Sequence, residues 1–287
     1  MVEKKKQTGG KNKINKRATR TGTVQKGSSY TLQSTLAPSS PQKYAEIALS
    51  EYDNAFGELR NTLAEIQQMN AVANRLLENR EMDVFFIAQK RVFKLTKKLE
   101  EIYRSASESY VKAEEFGAKE VGKAQGSVAK IPSNMRDLRK WLNLPEPEVI
   151  EPDKSVVDAT LSLATAVLQK RGEKILSMAN VLGSALEARA GKTDKEKLAT
   201  LSKYISLYSM KMREEDAKAS QLLMKIDKLK IISNDLLNYG DVKEFLAAQK
   251  MLYNLTKELE NSHYKIVKLL VAIRELDSRA RKIGGNE

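Results

Sequence analysis

Apolar residues recur every three or four positions in two stretches of the chain, which is the spacing of a coiled-coil seam. In the first stretch the seam consists of Phe85, Ala88, Val92, Leu95, Leu99 and Ile102. In the second it starts with Phe245, Ala248, Leu252, Leu255 and Leu259. This second seam continues to Ile283, with Ser262 as its only polar member. Each pattern predicts a long helix that packs against a neighbouring helix.

The two seams belong to one repeated phrase. Residues 76–100 align with residues 236–260 without a gap, and 11 of these 25 positions are identical. Weaker matches extend upstream to Tyr44 and Tyr204. The constant offset of 160 residues predicts two tandemly duplicated coiled-coil α-hairpins that turn near residues 80 and 240.

Local signals indicate where the helices begin and end. Gly240 predicts a left-handed residue at the end of one helix. Capping boxes, in which a side chain at the helix start and an acid three residues later bond each other's backbone, are predicted for three pairs: Asp241 with Glu244, Ser155 with Asp158, and Thr193 with Glu196. These signals predict an all-α fold: an elongated bundle of about five long helices, with a short amphipathic helix within residues 133–142.

The predicted elements divide the chain into four parts. Residues 1–41 are a basic flexible arm, residues 42–116 the first α-hairpin, residues 117–154 a connector with the short helix and a proline-rich linker, and residues 155–287 a long helix followed by the second hairpin. The arm has almost no apolar residue before Leu32. Because so little apolar surface cannot offset the entropy lost on folding, we expect the arm to be disordered when free.

The formal net charge of +13 is concentrated in the arm, where nine cations face one acid. This imbalance predicts a polyanionic partner, with nucleic acid first. Tyr30 is the only aromatic residue of the arm, so we expect phosphate contacts on a duplex rather than stacking on single strands. The candidate contacts are Lys4, Lys5, Lys6, Lys11, Lys13, Lys16, Arg17, Arg20 and Lys26.

Further cations form a second set of candidates. The heptad pattern places Gln89, Gln249, Thr96 and Thr256 beside the seams, and it places four lysines on the outermost face: Lys90, Lys97, Lys250 and Lys257. These lysines serve either solubility or a partner. In the connector, Trp141 either fills a groove between the hairpins or anchors a partner, and it lies beside three further candidate cations: Arg136, Arg139 and Lys140.

No catalytic or metal site is predicted. Cysteine is absent and His263 is the only histidine, which rules out thiolate ligands and histidine pairs. The AGKT sequence at 190–193 resembles part of a phosphate-binding loop, but position 186 is Leu where that loop requires glycine. We therefore expect a protein that is not an enzyme and that uses no cofactor.

Together these features predict a non-enzymatic structural protein of a nucleoprotein or capsid-like assembly. Its arm would bind nucleic acid phosphates without sequence specificity, and its hairpins would pack against copies of the chain or a related helical subunit. Two alternatives remain open: a membrane-associated helical scaffold or filament protein, and a protein-only coiled-coil adaptor. The sequence shows neither a secretory signal nor an apolar run of about 18 residues, so we expect it inside a cell or a virion, neither secreted nor transmembrane.

Overall fold

The computed structural model describes residues 41–116, 130–144 and 151–285, and every regular element in these ranges is a helix. The all-α fold class is therefore confirmed for this part of the chain. The predicted contacts in the arm, from Lys4 to Lys26, lie outside the described residues. The helices are α1 (Pro41–Glu78), α2 (Met82–Glu115), α3 (Met135–Trp141), α4 (Lys154–Arg189), α5 (Asp194–Tyr239) and α6 (Val242–Ile283).

Four of the five long helices form two antiparallel pairs that share a core, and α4 packs mainly against α6. Helix α1 packs along α2, α5 packs along α6, and α2 crosses α6. The predicted seam residues are largely buried, and Phe85, Val92, Leu99, Phe245 and Leu252 are fully so. The core is continuous across the crossing, because residues of all four helices meet in one cluster that includes Leu76, Phe85, Ile226 and Leu252.

The first turn is closed by a residue in the left-handed region. Arg80 has φ 60°, the N–H of Arg80 donates to the carbonyl of Leu77, and the N–H of Glu81 donates to that of Leu76. This pair of bonds satisfies the last carbonyls of α1. A non-glycine residue pays about 1–2 kcal/mol for this conformation, so the turn is strained.

The second turn differs from its prediction. Gly240 is extended, with φ −82° and ψ −179°, and is not left-handed. Its carbonyl accepts from the N–H of Met135, and the N–H of Val242 donates to the carbonyl of Ser133, so the segment before α3 pairs with the turn. Glycine is needed here for space, because a Cβ would lie 2.4 Å from Leu236.

Of the three predicted capping boxes, the structure has one. The box of Thr193 with Glu196 is confirmed at the start of α5. Asp241 caps α6 through the N–H of Lys243, without a box. The box of Ser155 with Asp158 is wrong, because Asp153 caps α4 by accepting from the N–H of Ser155. Helix α4 thus begins at Lys154, directly after a capping acid that the sequence interpretation overlooked.

Replacing Arg80 by glycine tests the strain in the first turn. We expect Arg80→Gly to raise the free energy of unfolding by about 0.5–1 kcal/mol, because the left-handed penalty exceeds the extra chain entropy of glycine. Urea unfolding followed by circular dichroism measures the change. Gly191, at φ 93°, is the matched control, and Gly191→Ala is expected to lower stability. A loss of stability in Arg80→Gly would contradict this account.

Candidate nucleic-acid interface

Two aromatic rings mark the point where α2 crosses α6. Phe93 and Tyr253 stack with ring centroids 3.9 Å apart and planes 4° from parallel. Both side chains are partly exposed. Beside them, in the core, the side-chain amide of Gln89 donates to the side-chain oxygen of Gln249 over 3.4 Å. Each of these pairs joins residues 160 apart in the chain.

Lysines flank both rings in the same pattern. Each ring has one lysine three residues before it and one four residues after it, and these spacings place side chains on the same helix face. Around Phe93 these are Lys90 and Lys97; around Tyr253 they are Lys250 and Lys257. The Nζ of Lys97 lies 5.1 Å from the centroid of the Phe93 ring, where a cation interacts favourably with the π electrons.

One of the four lysines does not occupy the outermost face that the heptad pattern predicts. Lys90 is half-buried, and its Nζ lies 2.7 Å from Oε2 of Glu260 on α6. The prediction failed because heptad positions describe one helix pair, whereas a third helix crosses α2 here. The other three lysines are exposed.

Around the aromatic stack, residues 93–101 and 250–258 expose five lysines and three glutamates. Lys94 and Lys98 are exposed on the same stretch of α2 as Lys97, further around the helix from Phe93. Within the described residues, no carboxylate lies in ion-pair range of the five exposed lysines of this surface, which we call the cationic face: Lys94, Lys97, Lys98, Lys250 and Lys257. Unpaired cations at a common surface favour binding of a polyanion.

Glu260 lies at one edge of the cationic face. Burial disfavours its charged form, yet hydrogen bonds from Lys90 and from Arg171 of α4 outweigh that effect, so the pKa of Glu260 lies below its ordinary value. The Nη2 of Arg171 lies 2.6 Å from Oε1 of Glu260. Because both partners bind the same carboxylate, Glu260 ties α2, α4 and α6 together.

The connector cations have different environments. Arg136 and Lys140 are exposed on α3, as a surface contact would require. Arg139 is buried, with 3% of its surface exposed, and its Nη1 lies 3.2 Å from Oδ1 of Asn238 and 3.5 Å from the carbonyl of Leu237. It therefore ties α3 to the end of α5 and is withdrawn as a surface contact. A burial signal was present in its position between Leu138 and Leu142 on one helix face.

The only tryptophan packs inside the chain. Trp141 lies edge-on to Phe56 at 4.7 Å and to Tyr52 at 6.0 Å, both on α1. It borders a cluster that also contains Leu237 and Phe245 from the second helix pair. These contacts give Trp141 an internal packing role.

The sequence interpretation missed a buried polar layer between the helix pairs. Lys230 of α5 is fully buried and donates to Oδ1 of Asn74 at 2.5 Å and of Asn70 at 3.2 Å, and Asn70 donates to Asn234. Burial lowers the pKa of Lys230 to about 7, opposed by the negative charge of Glu78. The matched pair Asn74 and Asn234 in the repeat was the available signal.

The residues predicted to flank the seams are also buried. Gln89, Gln249, Thr96 and Thr256 all have at most 3% of their surface exposed. Gln249 donates to Ser233, and Thr96 donates to the carbonyl of Val92. His263 packs its ring against Phe86 and lies 3.5 Å from Asp83. Gln89, Gln249 and His263 thus contact the other helix pair.

Comparison with protein-family models, curated proteins and solved structures finds no match to this chain. Among residues 41–116, 130–144 and 151–285, no group of three or more histidine and acidic side chains has a metal-binding arrangement. No helix in the same ranges combines the length and apolar character needed to cross a membrane.

The buried lysine makes stability depend on pH. The folded pKa of about 7 lies below the ordinary value of 10.5, so folding releases a proton between these values. We expect the free energy of unfolding to be lowest at and below pH 7 and to rise towards pH 10, by an amount on the order of several kcal/mol.

The variant Lys230→Met isolates this effect. It should remove most of the rise, because methionine fills the space without a charge, and urea unfolding at pH 6, 7, 8, 9 and 10 measures it. Lys228→Met, at an exposed position on the same helix, is the control. If wild type and Lys230→Met show the same pH dependence, Lys230 is charged at neutral pH and this interpretation is wrong.

Proposed function

We propose that the protein is a non-enzymatic structural component of a nucleoprotein assembly, and that it binds nucleic acid through phosphate contacts without reading sequence. The observation that carries this proposal is the cationic face around the Phe93–Tyr253 stack, with five exposed lysines and no carboxylate in ion-pair range among the described residues. The nine cations of residues 1–41 add a second basic segment to the same chain.

The chemistry of the cationic face favours phosphates over base edges. Lysine presents a point charge on a flexible stem, whereas base readout relies on bidentate side chains such as arginine, asparagine and glutamine. All five residues of the cationic face are lysines. An arm of about 40 residues can extend to roughly 130 Å, which is enough to follow a duplex or a neighbouring subunit.

We also infer that the two helix pairs are duplicated copies of one hairpin. The supporting contacts are those that exchange when 160 is added to or subtracted from a residue number. Gln89 meets Gln249, and Phe93 meets Tyr253. In the polar layer, the contact of Asn70 with Asn234 exchanges with that of Lys230 with Asn74. Such self-pairing is the pattern of a two-fold axis, here within one chain.

A duplication of this kind suits a structural role. Two equivalent lysines, Lys97 and Lys257, are exposed four residues after the two stacked rings, so the repeated sequence places matched cations beside the stack. A phosphate backbone is itself a regular array of charges. On this proposal the helix pairs contact phosphates through charge and spacing, and they do not read base identity.

Binding titrations at several salt concentrations test the proposal. We expect replacement of the five lysines of the cationic face by glutamine to weaken binding to duplex DNA. It should also reduce the slope of log K against log salt by up to about 4.5 units, because each phosphate contact contributes about 0.9. Removal of residues 1–38 should reduce the slope by up to about 8 units, with little change in helicity.

The matched control removes the same charge elsewhere. It replaces five exposed lysines on other segments by glutamine: Lys43, Lys154, Lys192, Lys195 and Lys203. If this variant loses as much affinity as the variant of the cationic face, binding reflects overall charge only. Absence of duplex binding by the intact chain at low salt would overturn the proposal. Binding to anionic vesicles at matched salt, without binding to DNA, would support the membrane-scaffold alternative instead.

A further inference from the structure

The surface of α4 carries far fewer charges than the surfaces of its neighbours. Between residues 159 and 188, the exposed positions of α4 include only three charged side chains, Lys170, Glu173 and Lys174. Over residues 243–265 of α6, by contrast, six of the ten exposed side chains are charged. Large apolar groups of α4 stand in solvent as well, with Leu163 55% and Val181 68% exposed. A helix face of this composition is typical of an interface.

These exposed residues follow a helical repeat. A seam with spacings of three and four residues runs along α4, and every position on it is exposed: Ala159, Leu163, Ala166, Lys170, Glu173, Ser177, Val181, Ser184 and Ala188. The buried residues of α4, such as Ala164, Ile175 and Leu186, lie on the opposite side of the helix. The seam therefore points directly away from the rest of the described structure.

Contacts on the inner side hold α4 in this orientation. Arg171 binds Glu260, and the Nη1 of Arg279 on α6 lies 2.7 Å from Glu187. The side chain of Arg279 lies so close to Gly183 that a Cβ there would be 2.4 Å from its Nε. Because these ion pairs fix the rotation of the helix, the exposure of the seam follows from the fold and not from a freely turning helix.

We propose that a second copy of this chain docks on the α4 seam, with the two α4 helices antiparallel about a two-fold axis between Glu173 and Lys174. The inference deepens the proposed function, on which its biological meaning rests, by naming the face through which copies of the chain meet. An isologous contact of this kind is the commonest basis of homodimers.

The charges on the seam determine the direction of pairing. In the antiparallel arrangement, Glu173 of each copy faces Lys174 of the other, so two ion pairs form beside the axis. In a parallel arrangement at the same height, Lys170 would face Lys170 and Glu173 would face Glu173. Like charges directly opposite each other are destabilising, so the antiparallel arrangement is favoured.

The sizes of the side chains match in the same register. Leu163 falls opposite Ser184, and Val181 falls opposite Ala166. Alanines face each other at the ends of the contact, at 159 and 188. Alternation of large and small side chains across facing positions lets two helices approach closely and fill the space between them. The paired region covers 30 residues, or about 44 Å of helix.

Other occupants fit this face less well. A nucleic acid needs unpaired cations, whereas the seam has one lysine, Lys170, and one acid, Glu173. A lipid surface needs a basic rim and large apolar or aromatic side chains, whereas most seam positions are alanine or serine. Self-complementarity in both charge and size favours a copy of the same chain.

Sedimentation of the full-length chain tests the proposal without nucleic acid, after nuclease treatment and in high salt. We expect a concentration-dependent dimer. Val181→Glu should raise its dissociation Kd by about a hundredfold, because two carboxylates would be buried without partners. Leu176→Glu is the matched control, since Leu176 is 57% exposed on α4 but lies off the seam. A monomer at all concentrations, or equal loss of dimer in both variants with helicity unchanged, would overturn the proposal.

A charge exchange tests the axis. Glu173→Lys places four cations around it and should weaken the dimer about tenfold or more, while the double variant Glu173→Lys with Lys174→Glu restores opposite charges and should restore association. If the double variant is as weak as Glu173→Lys, the two residues do not face each other. Because this experiment uses no nucleic acid, its failure leaves the phosphate-binding proposal untouched.

Cysteine cross-linking tests the register, and the chain offers a clean background because it has no cysteine. In Ala166→Cys with Val181→Cys, the two positions within one chain lie about 22 Å apart and cannot form a disulfide. Oxidation should therefore give a covalent dimer in which peptide mapping finds position 166 of one copy joined to position 181 of the other. A dimer linked only between equivalent positions would contradict the antiparallel register.

Discussion

The structure depends on the crossing of α2 and α6, where residues 160 apart in the chain face each other. Gln89 meets Gln249 in the core and Phe93 stacks on Tyr253 at its edge. The contact between α2 and α6 extends from here to Lys90 with Glu260 and to Asp83 with His263. The polar layer around Lys230 and the cluster around Trp141 join the same two helix pairs.

The choice of residues at the crossing favours specificity over maximal stability. Apolar side chains can be buried there without hydrogen-bond partners, whereas Gln89, Asn70 and Lys230 require hydrogen-bond partners at the right distance. A shift of one helix pair by a single turn would leave these groups unpaired inside the protein. The buried amides therefore select one register, as a polar residue does in a coiled-coil seam. The lowered pKa of Lys230 shows that burying its charge costs free energy.

The sequence predicted the helices better than it predicted their contacts. Periodicity identified the seams because burial against one neighbour repeats every few residues, as at Val92 and Leu252. It misplaced Lys90, since a heptad describes two helices and this residue meets a third. The prediction of a left-handed Gly240 was wrong for a related reason: its extended backbone is set by pairing with the distant Ser133 and Met135. Phe93 and Tyr253 are aligned positions of the repeat, but only the fold shows that their rings stack.

One carboxylate connects the two surfaces proposed for binding. Glu260 accepts hydrogen bonds from Lys90, at the edge of the cationic face, and from Arg171, on the inner side of α4. Its lowered pKa means that it stays charged at neutral pH, so both bonds persist. Because Arg171 is held inward, its neighbour Lys170 and the nearby Glu173 are directed outward onto the seam. The orientation of the α4 seam and the position of the cationic face are thus fixed by the same ion-pair network, and a subunit that pairs through α4 would present its lysines at a defined position in the dimer.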